Sequence, residues 1–207
     1  GPIASILVGM QMQGLPIDYA VTRNDKINAV TMEDVQRVAR RLYLPEALHF
    51  AADISGAALR LVQAFWPGPV TVIVPRAPGV ASACAGGQDT IGLRCPSHPV
   101  ARALLQRCAA LGVEGVAAPR ATRFGRISPT TAAHVADEFG SELLILDGGP
   151  CEVGIESTIV DCSRGWPVLL RPGVLTRSAL EQVLGEPLRD RDAQAPRASG
   201  TLEAHYA

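Results

Sequence analysis

The chain has 207 residues, 47% of them hydrophobic and 19% charged, a composition that builds a packed core and excludes a disordered chain. Its formal net charge of −1 argues against a strong general affinity for polyanions. The apolar runs, Leu143 to Leu146 among them, are too short to cross a bilayer, and no signal-peptide pattern opens the chain, so a soluble cytoplasmic protein is expected.

The first fifty residues read as helical. Thr31 is placed to cap a helix running to about Tyr43, with Asp34 as its capping-box partner. Val35, Val38, Ala39 and Leu42 share one face at helical spacing, and Leu44-Pro45 ends the element. Beyond Phe50 short strands and helices alternate. Ala57 to Phe65 predicts a helix, and Trp66-Pro67-Gly68-Pro69 a rigid turn, because two prolines fix φ around a free glycine. Val70 to Val74 and Thr90 to Cys95 are rich in β-branched residues and bounded by Gly or Pro, which predicts strands. A helix follows over Val100 to Ala110, then a short strand over Val113 to Ala118 and a helix over Thr130 to Phe139. Leu143 to Leu146 is expected as a buried strand closed by the turn Asp147-Gly148-Gly149-Pro150. Ser157 to Asp161 and Val168 to Leu170 complete the strands, and Thr176 to Leu184 is the last helix. From Gly185 the chain is rich in Pro, Arg, Asp and Ala and reads as a linker. The sum is an α/β (α+β) domain, a sheet with helices packed on it, over residues 51–185, preceded by a helical segment 1–50 and followed by a linker 186–207.

The residue types narrow the chemistry. Five cysteines, Cys84, Cys95, Cys108, Cys151 and Cys162, include no Cys-x-x-Cys pair and support neither a disulfide framework nor a zinc knuckle. The histidines are scattered, so no protein-bound metal is expected; His134 with Asp137 and Glu138 reads as an exposed polar helix face. Lys26 is the only lysine, which excludes lysine-dependent chemistry downstream of it. Arg94, at the end of a strand, suits a carboxylate because its planar fork binds both oxygens; a rim arginine in a surface ion pair fits it as well. Ser157 fits close approach of a ligand or an ordinary turn hydroxyl. Ser128, followed by Pro129, fits an N-cap as well as an anion contact. Arg171, exposed by the turn Pro172-Gly173, suits phosphate or a charge near the following helix. Trp66 is expected to be architectural.

Five blocks stand in a fixed order over roughly 140 residues, far more specific than any one motif. They are Trp66-Pro67-Gly68-Pro69-Val70-Thr71, Gln88-Asp89-Thr90-Ile91-Gly92-Leu93-Arg94, Ser128-Pro129-Thr130, Gly154-Ile155-Glu156-Ser157-Thr158-Ile159-Val160 and Leu170-Arg171-Pro172-Gly173. Together they resemble the YrdC-type threonylcarbamoyl-AMP synthases, and the terminal His205-Tyr206 resembles the linker of the family's two-domain members. The resemblance implies an enzyme that joins threonine, bicarbonate and ATP, the last with Mg²⁺ held by the nucleotide, for threonylcarbamoyladenosine formation in tRNA. It implies threonine contacts at Arg94, Ser157 and, through the main chain, Ala118. It implies ATP contacts at Thr90, Ser128 and Arg171, with downstream tRNA-modification proteins as partners; Arg120, a departure from the family pattern, is read either as a replacement cation for ATP or as an obstruction of the pocket. The N-terminal stretch, from Gly9-Met10-Gln11-Met12 to Arg37-Val38-Ala39, resembles instead the C-terminal tail of pitrilysin-type peptidases, without their zinc motif.

Two departures from the YrdC pattern bear on activity. The family's early lysine and arginine near the triphosphate are absent, a loss of on the order of 2–5 kcal/mol of charge complementarity. Pro119-Arg120-Ala121-Thr122 stands where the family has Ser-Ala-Asn after the proline. The missing first part also predicts an incomplete sheet with an unpaired edge, hence low stability or self-association. Two alternatives follow: a catalytically silent nucleotide- or RNA-binding remnant using Arg94, Arg120, Arg123 and Arg126, or a fused non-catalytic fragment.

Overall fold

The computed structural model describes residues 49–119, 121, 128–140 and 142–198. The helix expected over Thr31 to Tyr43, and the peptidase-like stretch that holds it, lie outside the described residues.

The run Val70-Thr71-Val72-Ile73-Val74 has the β-branched side chains that pack well on a pleated surface, and it forms β1 (Val70–Pro75) near the middle of the sheet. The other strands are β2 (Thr90–Leu93), β3 (Thr158–Asp161), β4 (Val168–Arg171) and β5 (Arg189–Asp190), in the spatial order β2-β1-β3-β4-β5. β1 pairs parallel with β3 and antiparallel with β2, while β4 pairs antiparallel with β3 and parallel with β5. The sheet is therefore mixed, as expected for the α/β class.

Strand side chains alternate between faces, and the two faces carry different cover. Val70, Val72, Val74 and Val160 form one cluster with Ala58, Leu61 and Val62 of α1 (Gly56–Phe65) and Leu180 and Leu184 of α4 (Arg177–Leu184). Leu61 and Leu180 are fully buried, each contributing about 1.5–3 kcal/mol by leaving water. α4 is bounded as its sequence dictates: the Thr176 hydroxyl accepts from Ala179 N at the start, and Gly185 closes the end with φ +67°, a left-handed conformation that costs glycine little. On the opposite face Ile73, Ile159, Val168 and Leu170 pack with Ala195 and Ala198.

The segment expected as a linker thus begins with structure. Leu188 is buried, Arg189–Asp190 pair with β4, and Arg164 Nη1 holds Asp192 at 2.9 Å. Arg164 Nε also donates to the fully buried Asp161, whose carboxylate accepts further from Ser163 N and Oγ. A buried carboxylate needs that full set of partners to offset its desolvation. Farther along, Arg197 N donates to Gln88 Oε1 at 2.8 Å and Gln88 Nε2 donates back to Arg197 O.

Two expected strands are corrected. Val113–Ala118 and Leu143–Leu146 carry no strand pairing, and their apolar side chains face solvent, with Val116 at 50% and Leu144 at 89% exposure. Strand propensity needs a neighbour to complete its hydrogen bonds, and among the described residues neither segment has one. The helices α2 (Pro99–Ala110) and α3 (Ala132–Phe139) bury no residue among those described. α3 begins at Ala132 rather than Thr130 because Thr131, in extended backbone, caps it by accepting from His134 N. Asp147 acts as the expected turn former, accepting from Gly149 N at 2.8 Å. Among the described residues no helix is long and apolar enough to cross a membrane.

Candidate functional site

The sheet's topology assembles the site. β2 and β4 run opposite to the parallel pair β1 and β3, so the chain leaves β2 and β4 at the same end where it enters β1 and β3. Gly68 before β1, Arg94 after β2, Glu156 and Ser157 before β3, and Arg171 closing β4 are therefore gathered at one end of the sheet.

The backbone at that end is closely fitted. Trp66 is buried, its Nε1 donating to Val70 O at 3.0 Å, which is the architectural role expected of it. Its peptide bond to Pro67 is cis. Gly68 N donates to Cys95 O at 2.8 Å and Thr158 N to Pro69 O at 2.9 Å, so the Trp66–Pro69 turn is tied to the ends of both β2 and β3. A Cβ at Gly68 would lie 2.1 Å from Phe65 O, a distance that admits only glycine.

Arg171 is the most buried charge of the cluster, at 5% exposure. Its Nε and Nη2 donate to Ser157 O at 3.0 and 2.7 Å, and Nη2 also donates to Ser157 Oγ at 3.1 Å. Nη1 forms an ion pair with Glu156 Oε2, and the other oxygen of Glu156 accepts from Ser128 Oγ at 2.8 Å. Ser128 is therefore held by a carboxylate, and the N-cap reading for it is set aside in favour of Thr131. Arg94 stands beside this group at the surface. Its Nε donates to Gly68 O at 3.3 Å, and it forms no ion pair among the described residues, contrary to the rim-bridge reading. Desolvation, and then the positive charge of Arg171, hold the Arg94 guanidinium below its ordinary pKa. Arg94 and Arg171 are near enough for their charges to interact, and of the two only Arg171 has an ion-pair partner among the described residues, Glu156, so the corner around Arg94 suits an anionic ligand group.

Of the residues expected to bind ligands, Arg94, Ser128, Ser157 and Arg171 are brought together. Thr90 is not in that cluster: it opens β2 opposite Pro75, about 13 Å along the strand from Arg94 at ordinary strand rise. Ala118 lies exposed in the irregular stretch after α2. Arg120, like Arg123 and Arg126, falls outside the described residues. Sequence reasoning gave no role to Glu156, although its block was recognised. An acidic residue directly before Ser157 was the available signal, but its partners stand 28 and 15 residues away, which spacing alone does not reveal. His134 is exposed, its Nδ1 facing Thr130. Among the described residues no group of three His, Cys, Asp or Glu side chains is placed to hold a metal ion.

Comparison with known proteins bears on the family and the fold. The sequence model of the Sua5/YciO/YrdC family, described as telomere recombination, matches residues 29–173; the match begins within the stretch expected to be peptidase-like. A protein of Pyrococcus abyssi named threonylcarbamoyl-AMP synthase is 37% identical over 163 residues, 76% of this chain and 47% of that protein. One of the same name from Bacillus subtilis is 38% identical over 166 residues, 75% of this chain and 46% of the relative. The chain thus spans about half the length of these curated relatives. Among solved structures, P. abyssi Sua5 complexed with L-threonine matches with a TM-score of 0.64 and 38% identity, covering 71% of this chain and 42% of that one. Escherichia coli YciO, at 24% identity and a TM-score of 0.56, shares the fold over 66% of this chain and 65% of its own.

Proposed function

The chain belongs to the Sua5/YciO/YrdC family, and from that premise we propose that it carries the threonine-gripping part of a threonylcarbamoyl-AMP synthase. The reaction joins threonine, bicarbonate and ATP into threonylcarbamoyl-AMP, with release of pyrophosphate and water, and the product serves threonylcarbamoyladenosine formation in cytoplasmic tRNA.

The observation that carries the reading is the gathering of the Arg94 guanidinium and the Ser157 hydroxyl at one end of the sheet. An amino-acid carboxylate needs charge-assisted donors on both oxygens, and a guanidinium beside a hydroxyl supplies them. The relative solved with L-threonine supports this choice of ligand. In the same reading Ser128, Arg171, Thr90 and Arg120 serve the nucleotide, the main chain at Ala118 serves threonine, and Mg²⁺ arrives on the ATP phosphates. Transfer of the threonylcarbamoyl group to RNA falls to downstream tRNA-modification proteins.

The test is incubation with threonine, bicarbonate, Mg²⁺ and labelled ATP. Pyrophosphate released only when threonine is present is the expected outcome. No release at high protein concentration, beside an active full-length relative, would refute catalysis by this chain.

A further inference from the structure

Glu156 sits at the centre of the site's hydrogen bonds. One of its oxygens accepts from Ser128 Oγ at 2.8 Å while the other accepts from Arg171 Nη1, and the carboxylate side chain is only 19% exposed. Arg171, with its charge balanced in place, reaches Ser157 twice, at the carbonyl oxygen and at Oγ. A guanidinium has donors and no acceptors, so the Ser157 oxygen accepts from Arg171 and its own proton must point to a different acceptor. One lone pair of Ser157 Oγ is thereby occupied, which biases the hydroxyl toward donating to a ligand.

We propose that Glu156 is a positioning residue that acts through Arg171. It anchors the guanidinium so that Ser157 Oγ is biased toward donating and, with Arg94, favours a carboxylate over a neutral amide. This rests on threonine being the ligand of the site. Glutamine at 156 cannot replace glutamate in this role. Its amide oxygen can still accept from Arg171 and its NH₂ can donate to Ser128 Oγ, but it carries no charge to pair with the guanidinium. Arg171 would lose the charged partner that holds it in place, and with it the tight bond to Ser157 Oγ.

The experiment compares wild type, Glu156→Gln, Ser157→Ala and the double variant, titrated calorimetrically with L-threonine and with L-threoninamide. Glu156→Gln is expected to weaken threonine binding about tenfold, the scale of one charge-assisted hydrogen bond, and to narrow the preference for threonine over its amide. In the Ser157→Ala background the same change should cost less than about twofold, because coupled residues are non-additive. An equal loss in both backgrounds, or an unchanged preference, would overturn the proposal; a purely structural role lowers thermal stability without moving the preference.

A second arm needs no ligand. The Arg171 Nε–H, bonded to Ser157 O, should exchange with solvent about tenfold faster in Glu156→Gln by NMR, as expected when a buried hydrogen bond loses its support. An unchanged rate overturns the proposal whether or not threonine binds. Failure of wild type to bind threonine counts against the proposed function alone, with the exchange rate still deciding the role of Glu156.

Discussion

Gly173 rests directly on the backbone that presents Ser157: a Cβ at 173 would lie 2.7 Å from Ser157 C, 2.4 Å from Glu156 O and 2.5 Å from Thr158 N. The turn after β4 and the entry to β3 are thus pressed together with no room for a side chain. That contact explains physically why the Leu170–Gly173 and Gly154–Val160 blocks belong to one site although they are separate in sequence.

Gly173→Ala should therefore displace backbone rather than a flexible side chain. A destabilisation of about 1–3 kcal/mol is expected, as for other overpacking substitutions, with threonine binding lost alongside. Gly148→Ala is the matched control, because its nearest neighbour is the His98 ring, a side chain that has room to turn. Urea denaturation of both variants distinguishes them.

Arg94→Ala should abolish most of the grip on a carboxylate while sparing the fold. Among the described residues its one hydrogen bond, to Gly68 O at 3.3 Å, is weak, so the thermal midpoint should barely move. Threonine affinity should fall about 10–100-fold, the range for charged hydrogen bonds of 1.5–3 kcal/mol. Arg94→Lys should recover only part of this, because an ammonium lacks the planar fork. Calorimetric titration measures both.

How much of this was legible beforehand differs between the fold's halves. The helix at Gly56–Phe65, the strand at Val70–Pro75 and the helix capped by Thr176 follow from local pattern and were expected nearly to the residue. Val113–Ala118 and Leu143–Leu146 have the same local signal but no strand beside them, and propensity alone does not make a ladder. At the site, Arg94, Ser128, Ser157 and Arg171 were recognisable from their blocks. The carboxylate of Glu156 joining Ser128 to Arg171 is a long-range fact, set by topology rather than by spacing.

Those segments, unpaired among the described residues, leave Val113, Val116, Leu143, Leu144 and Leu146 exposed. Large apolar side chains exposed in such number favour association. Sedimentation should show species larger than the monomer at micromolar concentration, and Leu144→Glu combined with Leu146→Glu should shift the chain toward the monomer without lowering the thermal midpoint. A monomer at all concentrations would contradict this.

Cys162 supplies a pH dependence. Burial, then the nearby Asp161, pushes its thiol from the ordinary 9.0 up to about 12. The unfolded chain releases this proton near pH 9 and the folded chain keeps it until about pH 12, so the contribution is complete below pH 9 and declines as pH rises through that window. The slope cannot exceed about 1.4 kcal/mol per pH unit for one proton. Urea unfolding at pH 8 and pH 10.5 should show a steeper loss for wild type than for Cys162→Ala. At pH 8 alkylation should reach the exposed Cys84 and Cys151 well before Cys162.

The most direct measurement is a crystal structure of the chain with L-threonine bound. A single carboxylate held by both the Arg94 guanidinium and the Ser157 hydroxyl is the predicted result. Threonine seated on only one of the two, or at another place on the sheet, would contradict it.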